Sequence, residues 1–182
     1  MNGFHPIIKE LREKHSDKFN FSLVVGGLRT KGDMLWTKES KEYLAQNWNA
    51  VTETTKQPFN FLILNRITFD YDTYPACKAI ISVRELWGKE ASFEYLEEIQ
   101  KAFYIKNQDI TLLDILKKYI KQDRDVFINF YKSKRAEILM KHDFSKARSM
   151  GANSFPSVIR IDRDGHMICQ KGYKKIDEIL TI

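Results

Sequence analysis

Apolar residues recur with two periods along this chain. Phe4, Ile8 and Leu11 stand at i, i+4 and i+7, one face of a helix, and Pro6 suits its first turn. Phe19-Asn20-Phe21-Ser22-Leu23-Val24-Val25 alternates and then becomes continuous, the pattern of a buried strand, and Gly26-Gly27 ends it. Leu44, Trp48 and Val51 predict a helix over residues 38–55, followed by an irregular connection over 56–72 with a short extended piece at 59–64. From there to residue 150 the period is helical. Tyr74-Pro75 opens a helix through Ala76, Ile80, Val83 and Trp87 that Gly88 stops, and Leu96, Ile99 and Phe103 mark the next. Thr111 with Asp114 resembles a capping box for a helix through Leu112, Ile115, Leu116 and Tyr119. Phe127 and Phe130 mark a short helix over 125–133. Residues 135–150 read as helical with a break near Asp143, and Gly151 suits the C′ position.

The period changes again at Ser154-Phe155-Pro156-Ser157-Val158-Ile159-Arg160-Ile161. Proline is tolerated at the first position of a strand, and X-Pro is where a cis bond is cheap enough to occur. Asp162-Arg163-Asp164-Gly165 reads as a hairpin turn, His166-Met167-Ile168-Cys169-Gln170 as a second strand, and a helical tail follows Gly172-Tyr173. The pattern is α/β at the two ends, with an all-helical block inserted between them.

The chain has 182 residues, 43% of them hydrophobic, enough for a packed core in one domain or one domain with an insertion. Its net charge of +6 comes from basic residues interleaved with acids, as in Lys38-Glu39-Ser40-Lys41-Glu42, which argues against a nucleic-acid footprint. The apolar runs are far too short to span a membrane. Cys77 and Cys169 are the two cysteines; unpaired, they fit a reducing compartment, and Cys77 reads as a small buried hydrophobe at the start of a helix. His5, His15, His142 and His166 show no metal-ligand spacing. The Asp162 turn lacks the glutamate of a calcium loop, Tyr173 standing in its place, and Gly26-Gly27 lacks the rest of a phosphate loop. No cofactor or metal is expected.

Several short motifs lie in one collinear order. They are Gly3-Phe4-His5-Pro6, Gly26-Gly27-Leu28, Asp72-Thr73-Tyr74-Pro75-Ala76-Cys77-Lys78-Ala79, Gln100-Lys101-Ala102-Phe103-Tyr104, the segment from Ala147 through Phe155-Pro156-Ser157, and Gly172-Tyr173. In this order the chain resembles the DsbA-like thioredoxin family, nearest to its FrnE-like, protein-disulfide-isomerase-like branch. The resemblance implies a discontinuous thioredoxin-like domain over residues 1–55 and 143–182 and an inserted helical domain over 73–142. It also implies a cis-proline loop whose Ser154, Phe155 and Pro156 face an extended substrate, with Phe4 and His5 beside the site.

In that family a first strand and a Cys-x-x-Cys precede the Gly-Phe-x-Pro element. Here Met1 and Asn2 occupy the positions just before it, so both features would fall before residue 1. The expectation is a thiol–disulfide oxidoreductase whose sequence here lacks the catalytic pair and is inactive in dithiol exchange, with no catalytic residue assigned. The central first strand would then be missing: an N-terminal segment lies outside the sequence, the remaining strands close up, or a partner fills the gap. Two alternatives stand beside it: a non-catalytic peptide-binding or dimerising module, and a glutathione-dependent isomerase or transferase-type relative. The implied partners are protein or peptide thiols and disulfides, with a homodimer through exposed strand edges left open, and the implied compartment is the cytoplasm.

Overall fold

The computed structural model describes residues 2–30 and 32–181. A 3-10 turn at Asn2–Phe4 leads into α1 (His5–His15), with Pro6 in its first turn, where a missing N–H costs nothing. In α2 (Lys38–Thr55) the Thr37 hydroxyl accepts from the Ser40 N–H and the Ser40 hydroxyl from the Thr37 N–H, a reciprocal cap. A long helical stretch, α3 (Tyr74–Tyr104), is interrupted at Gly88, whose φ of 87° and ψ of 179° only glycine adopts freely. Short α4 (Leu113–Leu116), α5 (Arg124–Lys132) and α6 (Lys134–Ser149) follow, and Gly151, at φ 81°, turns the chain out of α6. β1 (Ser157–Ile161) and β2 (Met167–Lys171) form an antiparallel pair with Ile159 opposite Cys169, and α7 (Ile176–Leu180) closes the fold. The molecule is mostly helical with a small two-stranded sheet.

Four expectations are corrected. Residues 59–64 form no extended piece; they hold a 3-10 turn, Phe61–Asn65, capped by the Asn60 side chain on the Leu62 N–H. Thr111 does not cap a helix, because its N–H and hydroxyl both turn to the Asp109 carboxylate. α6 runs unbroken through Asp143, whose polar group is satisfied by tertiary partners and so does not disturb the helix. Residues 19–25 form no ladder among the described residues.

Three apolar clusters build the core. Ile81, Val83, Ile99, Leu116, Phe127 and Met140 join α3 to α4, α5 and α6. A second is aromatic: the Trp48 ring of α2 stands 5.6–6.1 Å from Phe59, Phe61, Phe103 and Tyr104. In the third, Phe4 and Leu11 of the first helical segment and Ile179 of α7 are buried against Phe21 and Val158, seating both helices on one face of β1.

Side chains satisfy the part of residues 19–25 that a sheet would otherwise pair. Arg84 Nη1 of α3 donates to the Leu23 C=O at 2.7 Å, and the Val25 N–H donates to Asp143 Oδ2 of α6 at 3.1 Å. Arg84 and Asp143 bind each other at 2.8 and 3.1 Å, with the Asp143 side chain 5% exposed. Removing one partner of such a pair strands the other charge. Asp143→Ala is therefore expected to cost about 3–5 kcal/mol in urea unfolding, and the double change Arg84→Met with Asp143→Leu clearly less.

Candidate functional site

Residues 153–156 are positioned by hydrogen bonds near in sequence and by contacts with distant segments. Past α6, the Ala152 N–H donates to the Ala147 C=O at 2.9 Å, and buried Ala152 anchors the turn. Ser157 Oγ donates to the Ser154 C=O at 2.6 Å, and the Gly172 N–H to the Pro156 C=O at 2.8 Å. The Phe155–Pro156 bond is cis. Between these two engaged carbonyls, the N–H and C=O of Phe155 have no hydrogen-bond partner among the described residues.

The Phe155 ring is not presented outward. It lies on the backbone of Gly26 so closely that a Cβ there would sit 1.8 Å from the ring edge. Gly27, at φ 63°, has the Phe144 ring against it in the same way, 2.5 Å from where its Cβ would stand. The glycine pair is thus clasped between Phe155 and Phe144. The sequence marks the pair as the end of a strand, and only the packing shows that the backbone must be bare.

Of the remaining candidate residues, Phe4 is in the core at 6% exposure, its ring edge-on to Tyr173 at 6.2 Å. Its side chain is a support rather than a contact surface: Phe4 holds Tyr173, and the adjacent Gly172 holds Pro156. His5 turns the other way, toward α3, with Nε2 3.1 Å from Glu97 Oε2, an ion-pair distance without hydrogen-bond alignment. It borders a crevice of about 910 Å³ whose walls alternate in charge, among them Lys9, Arg12, Glu90 and Glu94. Arg12 pairs with Glu90 and lies 4.0 Å over the Phe93 ring. Burial lowers the His5 pKa below the ordinary 6.5 against the opposing pull of Glu97. Burial by itself would raise Glu97, but Lys101 and His5 hold its carboxyl below the usual range.

The cysteines are both free. Cys77 is buried at the start of α3, and burial pushes its thiol up to about 12, against a hydrogen bond from Gly27. Such a thiol stays protonated and unreactive at neutral pH. Cys169 lies in β2 opposite Ile159. His166 Nδ1 stands 3.0 Å from Asp162 Oδ2 in the exposed hairpin turn, and Asp162 also accepts from the Asp164 and His166 N–H groups, so this acidic turn closes on itself.

Residues 3–180 match the family described as Thioredoxin. The ClpXP adapter protein SpxH of Halalkalibacterium halodurans is 25% identical over 176 residues, 90% of this chain and 56% of the adapter. The chain therefore spans about half the length of that curated relative. A candidate protein disulfide isomerase from Nitrosomonas europaea has a similar structure, with a TM-score of 0.85 and 29% identity over 98% of this chain and 87% of its own. The cytosolic disulfide reductase DsbM from Pseudomonas aeruginosa shares the fold at a TM-score of 0.75 and 19% identity, over 93% of this chain and 82% of its own. No helix among the described residues is long and apolar enough to cross a membrane.

Gly26→Ala forces the Phe155 ring off its seat. The change is expected to cost about 1–3 kcal/mol in thermal or urea unfolding and to shift the Phe155 ring protons. The double variant with Phe155→Ala regains part of the loss. The pH dependence has its own sign. A histidine held neutral by burial contributes stability that is full above pH 6.5 and is lost as pH falls through 6.5 toward the depressed folded value. Urea midpoints at about pH 7.5 and about pH 5.5 should differ less in His5→Gln than in the parent protein.

Proposed function

The chain belongs to the thioredoxin family, and from that premise we propose that it is a DsbA-like scaffold of the thiol–disulfide oxidoreductase kind. It binds extended, thiol- or disulfide-bearing protein segments along the Pro156 loop. One observation carries this reading. Phe155 holds a backbone donor and acceptor without partners between two tied carbonyls, beside exposed Ser154, while its ring is stowed on Gly26. A fixed, unpaired N–H and C=O is what an extended peptide can pair with. Ser154, Phe155 and Pro156 make the contact, Phe4 braces the loop through Tyr173, and His5 edges the neighbouring crevice. Residues 1–55 and 143–182 act as the binding domain and 73–142 as the helical insertion. The cytoplasm suits two free thiols.

Exchange requires a thiolate to attack a disulfide sulfur. Cys77 remains a thiol, Cys169 has no second cysteine beside it, and the 182 residues hold no Cys-x-x-Cys. These residues therefore bind such segments without turning them over. The likeness to a protein named as a ClpXP adapter over 90% of this chain favours a second reading, a module that presents a bound segment with no redox step at all.

The test uses this chain with a capped peptide whose central cysteine is blocked as a mixed disulfide. The Phe155 amide resonance is expected to shift saturably, and insulin reduction by dithiothreitol to proceed no faster than without the protein. Both results should be unchanged in Cys77→Ala and Cys169→Ser. An unmoved Phe155 resonance would remove the binding site, and turnover abolished by Cys77→Ala would overturn the inactive reading.

A further inference from the structure

One concavity shares no residue with the Pro156 loop or with the crevice beside His5. Residues 32–36, 67–70, 109 and 111 wall a space of about 520 Å³, with Met34, Leu35, Trp36, Ile67 and Phe69 as its apolar lining. Leu35 is 76% exposed and Ile67 92%, and Leu112, which follows Thr111 of the wall, is 53% exposed. Apolar side chains left this open around a single concavity mark a surface that meets a partner.

Ring contacts and hydrogen bonds hold the walls in place. The Trp36 ring stands 5.1 Å from Phe69 and 6.3 Å from Tyr71. Trp36 Nε1 and Lys41 Nζ both donate to the Arg66 C=O, at 3.0 and 2.7 Å. The Arg66 guanidinium lies 5.2 Å over the Phe69 ring and donates to Asp109 Oδ2 at 3.3 Å and to the Asn107 C=O at 3.0 Å. Lys41 and Arg66 are thus engaged, and neither belongs to the lining. Asp109 is engaged too, since its other oxygen accepts the Thr111 N–H. Exposed Asp70 also lines the groove, and its carboxylate has no hydrogen bond or ion pair among the described residues. Among those residues the lining holds two carboxylates and no cation.

We propose that this groove takes a segment of another protein in which a large aliphatic side chain stands beside a lysine or arginine. The aliphatic group enters between Leu35 and Ile67 onto the Trp36 and Phe69 rings, and the cation meets Asp70. The charge pattern selects this occupant: a basic segment finds a free carboxylate, whereas an acidic one meets two carboxylates and no free cation. The open rim suits a side chain presented from a backbone lying across it. Walls already held by the Arg66 bonds lose little freedom when the groove is filled. The groove is separate from the Phe155 contact, and its test peptide carries no cysteine, so either can fail alone.

The probes are two capped peptides, one alternating leucine and lysine and one alternating leucine and glutamate, titrated against this chain while the methyl resonances of Leu35 and Ile67 are followed by NMR. The lysine peptide is expected to shift both methyls saturably, and the glutamate peptide to bind at least about tenfold more weakly. Ile67→Ser removes a side chain that is 92% exposed, so the melting temperature should hold while affinity falls at least about tenfold. Asp70→Asn should weaken the lysine peptide about threefold, the worth of an exposed ion pair, and narrow the gap between the two peptides. No saturable shift, equal affinity for the glutamate peptide, or unchanged binding by Ile67→Ser overturns the proposal. So do methyl shifts that follow protein concentration without peptide, which would mean that a second copy fills the groove.

Discussion

One buried carboxylate ties the two ends of this chain to its helical middle. Asp143 lies on α6, its partner Arg84 on α3, and between them they take the Val25 N–H and the Leu23 C=O. A buried charge is tolerable only when it is paired and fully hydrogen-bonded, and a buried backbone group only when it finds a partner. Each requirement here is met by the other. The pair needs backbone groups to complete its hydrogen bonds, and residues 23–25 need side-chain partners because, among the described residues, no strand pairs with them on that side.

The site inherits its position from this arrangement. Gly26 and Gly27 directly follow the anchored Val25, and the rings of Phe155 and Phe144 close on them from two sides. Phe144 is the residue next to Asp143, so the clasp and the ion pair share one turn of α6. From Phe155 the chain passes through Pro156 into β1, which α1 and α7 cover on one face. The Phe155 backbone thus stays fixed and unpaired because its own side chain and both neighbouring carbonyls are held. A rigid free donor and acceptor loses little entropy on binding, which suits recognition of an extended partner.

Much of the fold was legible in the sequence where the signal is local. The α2 span, the interruption at Gly88, Pro6 in the first turn and Gly151 after α6 all follow from periodicity and from backbone preferences of single residues. The Ser154-Phe155-Pro156 loop was legible too, as a proline leading a strand. What failed depended on partners distant in the chain. The alternation at residues 19–25 is genuine, but alternation predicts a strand only where a neighbour supplies the ladder. Thr111 lost its cap to Asp109, a choice between two local acceptors that spacing does not decide. Asp143 read as a helix break because its Arg84 partner is 59 positions away. Gly26 read as punctuation, although its bareness is required by a ring 129 positions further on.

Amide hydrogen exchange tests whether side chains rather than a sheet hold residues 23–25, with no backbone partner on their other side among the described residues. That arrangement predicts that the Val25 amide, bonded to buried Asp143, exchanges at least about tenfold more slowly than that of Val24, with Phe155 and Ile159 exchanging as fast as Val24. Equal, strong protection at Val24, Val25 and Ile159 would mean a closed sheet through this region and would contradict it.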